Sequence, residues 1–149
     1  MMVVMQGNVK VRIGASTSAY MEITNVKRLV YRWQPTTYTP QTVMRTTNPV
    51  GFNRPHKYII GELHTLSECH DAFYNNTSFT PPKQFIKPDG DNEEIPYFEA
   101  FNTDSEGREW KYTFYGVVPV DDPFEAEDGK DIVHVYPFVA KKVVVTKPT

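Results

Sequence analysis

The sequence predicts an all-β fold of the β-sandwich or β-barrel class, with one short α-helix, in a single domain spanning 1–149. Three observations predict it. In 108–118, Trp110, Tyr112, Phe114 and Gly116 alternate with Glu109, Lys111, Thr113 and Tyr115, the period of two that marks a half-buried strand. Valine, threonine, tyrosine and phenylalanine are common and helical periodicity is scarce, which favours strands. The stretch Asp131-Ile-Val-His-Val-Tyr-Pro-Phe-Val-Ala140 is apolar at nearly every position. An antiparallel strand of that kind needs a second sheet, or a neighbouring subunit, over its other face.

Residues 1–5 form a short apolar start that reads as a first strand or an arm. Val9, Val11 and Ile13 alternate in a strand over 7–13, followed by a turn at 14–18. Strand character returns over 20–33 and breaks near Thr24-Asn25. There Lys27, Leu29, Tyr31 and Trp33 oppose Val26, Arg28, Val30 and Arg32. The segment 34–57 differs. It holds Pro35, Pro40, Pro49 and Pro55, many threonines and no clear period. A structureless stretch of that length is uncommon inside a compact domain. Its apolar residues Tyr38, Val43, Met44, Val50 and Phe52 exceed what a solvated loop requires, so it reads as a projecting loop that packs on a partner.

A strand over 58–65 leads into Thr65-Leu-Ser-Glu68, which has capping-box form. A helix is expected over 68–75, with Leu66, Cys69, Ala72 and Phe73 as its apolar stripe. A second loop, 76–94, is punctuated by Pro81-Pro82, Pro88 and Asp89-Gly90. The strand 95–103 is aromatic on both faces, with Tyr97 and Phe101 opposite Phe98. It turns through Asp104-Ser-Glu-Gly107, where Gly107 supplies positive φ, into 108–118. An acidic turn precedes one long last strand, 132–145, in which Pro137 marks an edge or a bulge.

Net charge is −2, but the charges are segregated. Between 23 and 61 stand Lys27, Arg28, Arg32, Arg45, Arg54 and Lys57, and no acidic residue. Between 88 and 129 thirteen acidic residues face only Arg108 and Lys111. One reading is that both sets solvate loops. The sharper one is head-to-tail contact between copies, the arrangement that generates rings or filaments. Cys69 is alone, so no internal disulfide framework exists. No apolar run approaches the ~18 residues of a membrane span, and 1–5 lacks the features of a secretory signal. No membrane anchor is expected.

Catalytic chemistry finds little support. Glu62, His64, Glu68 and His70 are the nearest approach to a metal cluster, without metal-ligand spacing. His134 reads as a strand histidine and Cys69 as a small buried hydrophobe. No phosphate loop and no cofactor motif are present, so neither enzyme activity nor a cofactor is expected. Arg28, Tyr31, Arg32 and Trp33 interleave basic and aromatic residues as a single-strand nucleic-acid platform does, but alternation places the arginines opposite the aromatics.

The order of elements, carried by Gly7-Asn-Val-Lys-Val, Tyr20-Met-Glu-Ile-Thr-Asn-Val, Gly61-Glu-Leu-His-Thr-Leu-Ser-Glu and Arg108-Glu-Trp-Lys-Tyr-Thr-Phe-Tyr-Gly-Val-Val, resembles the tail tube proteins of long-tailed phages and viruses. It is similar also to the tube proteins of contractile injection systems and type VI secretion. The resemblance implies a structural virion protein. Homo-hexameric rings would join their sheets into an inner barrel and stack into a hollow tube that conducts DNA, passing non-specifically, or effectors. Other tail or baseplate proteins would be partners, and the site would be the virion tail, assembled in the host cytoplasm. The resemblance places 34–57 as the ring-stacking loop, with Tyr38, Val43, Met44, Arg45, Phe52 and Arg54 at the contact. It makes Glu93, Glu94, Glu99, Asp121 and Asp122 candidates for an acidic lumen or interface. The proline-rich second loop leaves room for a terminator or baseplate relative. The rival reading is a monomeric β-sandwich module that binds a glycan or single-stranded nucleic acid, with Trp33, Trp110 or loop tyrosines as its platform.

Overall fold

The computed structural model describes residues 2–6, 8–34, 39–42, 49–53, 57–120 and 133–148, with 6, 39–42 and 49–53 described by backbone alone. Two five-stranded antiparallel sheets face each other and are not closed into a barrel. The first runs β1 (Met2–Gln6), β4 (Val26–Trp33), β7 (Ile59–Thr65), β11 (His134–Ala140), β10 (Val118–Pro119). The second runs β12 (Lys142–Thr146), β9 (Glu109–Tyr115), β8 (Tyr97–Thr103), β2 (Val9–Ser16), β3 (Ala19–Ile23). A separate hairpin pairs β5 (Thr39–Thr42) with β6 (Pro49–Asn53).

Two bent hairpins build most of this. Chain 2–33 places β1 and β4 in the first sheet and β2 and β3 in the second. Chain 109–146 places β10 and β11 in the first and β9 and β12 in the second. Strands that change sheet at a bend make the corners of a sandwich. The expected long strand 132–145 is therefore two strands that part at Lys141, and 108–118 parts at Gly116. The bend is stable because Gly116 adopts φ +67°, a region glycine enters without Cβ strain, and because Lys141 N–H donates to Tyr115 O at 2.8 Å.

The core lies between the sheets. Val11, Ile13, Leu29, Ile59, Leu63, Phe98, Phe114 and Phe138 are all buried in it. Phe98, Phe114 and Phe138 pack ring to ring at 5.0–5.5 Å between centroids, within the range of favourable aromatic pairs. A β-bulge between Val26 and Arg28 brings Val26 inward beside Leu29 and Tyr31, which strict alternation does not predict.

The remaining expectations meet mixed outcomes. The short apolar start is the edge strand β1. The helix α1 (His70–Tyr74) begins two residues later than expected, and no capping box forms. Thr65 closes β7, and its hydroxyl donates to Ser67 O, which removes it from the helix. Leu66 is exposed, while Ala72 and Phe73 are buried. Phe73 stacks on Tyr136 with 5.0 Å between centroids, so the helix covers one end of the core. Segment 34–57 is not structureless, since it contains the β5–β6 hairpin. Pro137 is in no bulge: it lies in β11 opposite Glu62 of β7, just past Phe138, where the ladder to the edge strand β10 ends. The second loop packs inward, with Phe85 and Ile86 buried and Asn76 donating to Ile13 O and Ala72 O.

Candidate functional site

The two outer faces differ in chemistry. On the first sheet the register lines up Met2, Arg32, Ile60, Val139 and Val118 in one row, and Val4, Val30, Glu62 and Pro137 in the next. This face is largely aliphatic, with Arg28 and Arg32 on β4. On the second sheet one row holds Glu22, Arg12, Glu99, Thr113 and Val144, and the next Lys10, Phe101, Lys111 and Thr146. This face is polar and mixed in sign.

Strand β8 is buried on both sides, as its aromatics predict: Phe98 and Ala100 face the core, while Tyr97, Glu99 and Phe101 are covered on the outside. Glu99 is 6% exposed. Its two oxygens accept hydrogen bonds from Tyr97 Oη at 2.8 Å and Thr113 Oγ1 at 2.6 Å. Burial, followed by the bond to Glu99, pushes the Tyr97 phenol up to about 12. Arg12, the cross-strand neighbour of Glu99, turns to Glu22 at 3.0 Å and lies between the rings of Tyr20 and Phe101, 4.6 Å from each centroid. In front of Glu99 opens a groove of about 510 Å³, bordered by Ser16, Thr17, Lys111, Tyr115, Val144 and Thr146.

The edges also differ. At β10, Asn92 Nδ2 donates to Pro119 O at 2.7 Å, so the second loop caps that edge. Among the described residues β12 ends the second sheet, with Val144 and Val145 each 44% exposed. An open apolar edge is a template for pairing with another chain.

Residues singled out from sequence are dispersed. Glu93 ion-pairs with Lys83 and Lys87 at 3.3 and 3.7 Å. Glu94 lies 4.0 Å from Lys141. Glu99 stands apart from both, on the outer face of the second sheet. Tyr38, Val43, Met44, Arg45, Arg54, Asp121 and Asp122 fall outside the described residues, and Phe52 lies in β6. Glu62 and His64 pair at 2.9 Å on β7, and Glu68 lies 3.9 Å from His70. Among the described residues no group of three His, Cys, Asp or Glu could hold a metal ion. His70 Nδ1 and Tyr136 Oη are 3.1 Å apart, and the Cys69 N–H donates to the same hydroxyl. Burial raises the Tyr136 phenol well above its ordinary range. Trp110 is bound to Asp104, whereas Trp33 is exposed. Sequence reasoning missed the Glu99 groove and the β12 edge. The run Val143-Val-Val145 was the available signal for the edge. No helix among the described residues is long and apolar enough to cross a membrane.

Neither a family model nor a curated protein matches the sequence. Solved structures match the fold. The chain is similar to the anti-feeding prophage cap, a tube terminating cap seen by cryo-EM, with a TM-score of 0.51 and 10% identity over 94% of this chain and 88% of that one. It is similar also to a chain of the anti-feeding prophage baseplate, with a TM-score of 0.48 and 6% identity over 94% and 93% of the two chains. At such identities the likeness is one of fold: an all-β sandwich shared, over most of both chains, with the cap.

Proposed function

We propose that this chain is a non-enzymatic structural subunit of a phage-tail-like assembly, forming rings that stack as, or terminate, a hollow tube. The observation that carries the proposal is the fold correspondence with the tube terminating cap, which runs through 94% of this chain. Two features of the surface support it. The open edge of β12 leaves a five-stranded sheet able to continue into a neighbour's sheet, which would remove the exposed edge. The largely aliphatic outer face of the first sheet suits contact with protein. In the finer form of the proposal the ring is a homo-hexamer, the hairpin region 34–57 reaches the adjacent ring, and DNA or effectors pass through the lumen. Other tail or baseplate proteins are the further partners, and the virion tail is the location.

Negative-stain electron microscopy of the purified protein, paired with light scattering, tests this. Rings or hollow tubes are expected. A strict monomer across concentration and salt would remove the assembly reading and favour a binding module.

A further inference from the structure

Glu99 presents an imbalance of charge. A carboxylate offers about four acceptor positions, and buried carboxylates are rare unless paired. Glu99 has two neutral hydroxyl donors and makes no ion pair among the described residues. The one cation beside it in the register, Arg12, pairs with Glu22 and hydrogen-bonds Tyr97, and makes no ion pair with Glu99. The row Glu22, Arg12, Glu99 thus carries two negative charges against one positive charge, and Tyr97 stays neutral at physiological pH. Lys111 borders the groove from the next row, opposite Phe101 and Thr146, without pairing with Glu99.

The groove over Glu99 has room for a long side chain. Val144 offers an apolar wall for its stem, and Ser16, Thr17 and Thr146 offer hydroxyl acceptors for its N–H groups. Lys27, Arg28 and Arg32 of β4 make no ion pair among the described residues; the acid nearest them in the register, Glu62, pairs with His64. They stand on the first sheet, whereas Glu99 faces outward from the second. Two sheets packed about 10 Å apart with outward-facing groups on opposite sides leave these charges unable to meet within one subunit.

We infer that the groove floored by Glu99 receives the cationic end of a lysine or arginine side chain from a second copy of this chain, with Arg28 and Arg32 the first residues to test. The contact is head-to-tail, because donor and acceptor lie on different faces. The inference rests on the assembly reading and names one contact within it.

The experiment is self-association measured by sedimentation velocity between 50 and 500 mM salt. The proteins are the wild type, Glu99→Gln, Lys111→Met, and Arg28→Gln/Arg32→Gln with and without Glu99→Gln. Unfolding midpoints are followed in parallel. Glu99→Gln is expected to weaken association at least tenfold at low salt and to flatten its salt dependence, with the unfolding midpoint of the subunit held. The arginine variants should weaken association as well, and add little once Glu99 is gone, as groups in one contact do. Lys111→Met removes a like charge from the rim of the groove and should strengthen association at low salt. A wild type that stays monomeric overturns this inference together with the assembly reading. A wild type that assembles while Glu99→Gln matches it overturns this inference alone. Lys111→Met acting like Glu99→Gln on both association and unfolding makes the charge self-satisfied, and also overturns it. So does cadaverine binding that depends on Glu99 but leaves association unchanged, since the groove would then serve a free amine.

Discussion

Gly61 and Phe138 face each other across β7 and β11, and the ring of Phe138 fills the space a side chain at 61 would need. A Cβ at Gly61 would collide with the ring of Phe138. The ring cannot retreat easily, because Phe98 and Phe114 close on its other sides. Gly61→Ala should therefore destabilise by about 1–3 kcal/mol, the usual cost of overpacking. Combining it with Phe138→Leu should cost less than the sum of the two single changes, because the two sites share one volume. Urea unfolding of the four proteins measures this, and strict additivity would show that the ring is free to move.

The corner at Gly116 makes a second prediction. Gly107 and Gly116 both adopt positive φ, +79° and +67°. A Cβ at 107 meets open space, whereas one at 116 meets Lys141 at 2.6 Å. Gly107→Ala should cost about 1–2 kcal/mol from backbone conformation alone. Gly116→Ala should cost more, and adding Lys141→Ala should narrow the gap. Equal midpoints for the two alanine variants would remove any steric part from the corner.

Asp104 organises the turn between β8 and β9. Its oxygens accept from the Trp110 indole at 3.0 Å and from the backbone N–H groups of Glu106 and Arg108. These bonds, the Trp110 bond first, hold its carboxyl below the ordinary 3.8, at about 2. A carboxyl depressed on folding contributes stability that is complete above its unfolded value and is lost as pH falls through the folded one. The window is therefore pH 4 to 2. The Trp110 Nε1–H resonance, followed by NMR, should titrate with a midpoint near 2. A midpoint near 4 would mean that the turn does not favour the ionised form.

These sites show which parts of the fold can be read from sequence. Alternation locates the strands because each has one face in the core. The two-sided burial of β8 was legible because Tyr97 and Phe101 put aromatic rings on the face opposite Phe98. The sheet changes at Gly116 and Lys141 were not legible, because alternation continues through a bend and a bent pair reads as one long strand. The hairpin inside 34–57 was hidden by prolines and threonines that obscure a period of two. Glu99 stands in the sequence as one of several candidates for an acidic lumen or interface, with nothing to mark it as buried. Its burial depends on two hydroxyls, one two residues away and one on the next strand, that only the register brings to it.

Removing 39–53 separates assembly from folding. Among the described residues β5 and β6 pair only with each other, and no ladder joins them to either five-stranded sheet. The base of the region is held by Gln34 N–H donating to Tyr58 O at 2.8 Å, which the deletion leaves in place. Chain closure costs only about 0.6 kcal/mol per doubling of loop length, so a shorter connection should be neutral or slightly stabilising. Far-UV circular dichroism and the unfolding midpoint should then match the wild type. If 34–57 reaches the next ring, the same protein should form isolated rings and no stacks under the microscope. The double reversal Arg45→Glu/Arg54→Glu should weaken stacking most at low salt, where charges are least screened. Full-length tubes from the deleted chain would take the stacking role away from this region. A loss of folding would mean that the hairpin packs on its own sandwich, which the sheet pairing does not require.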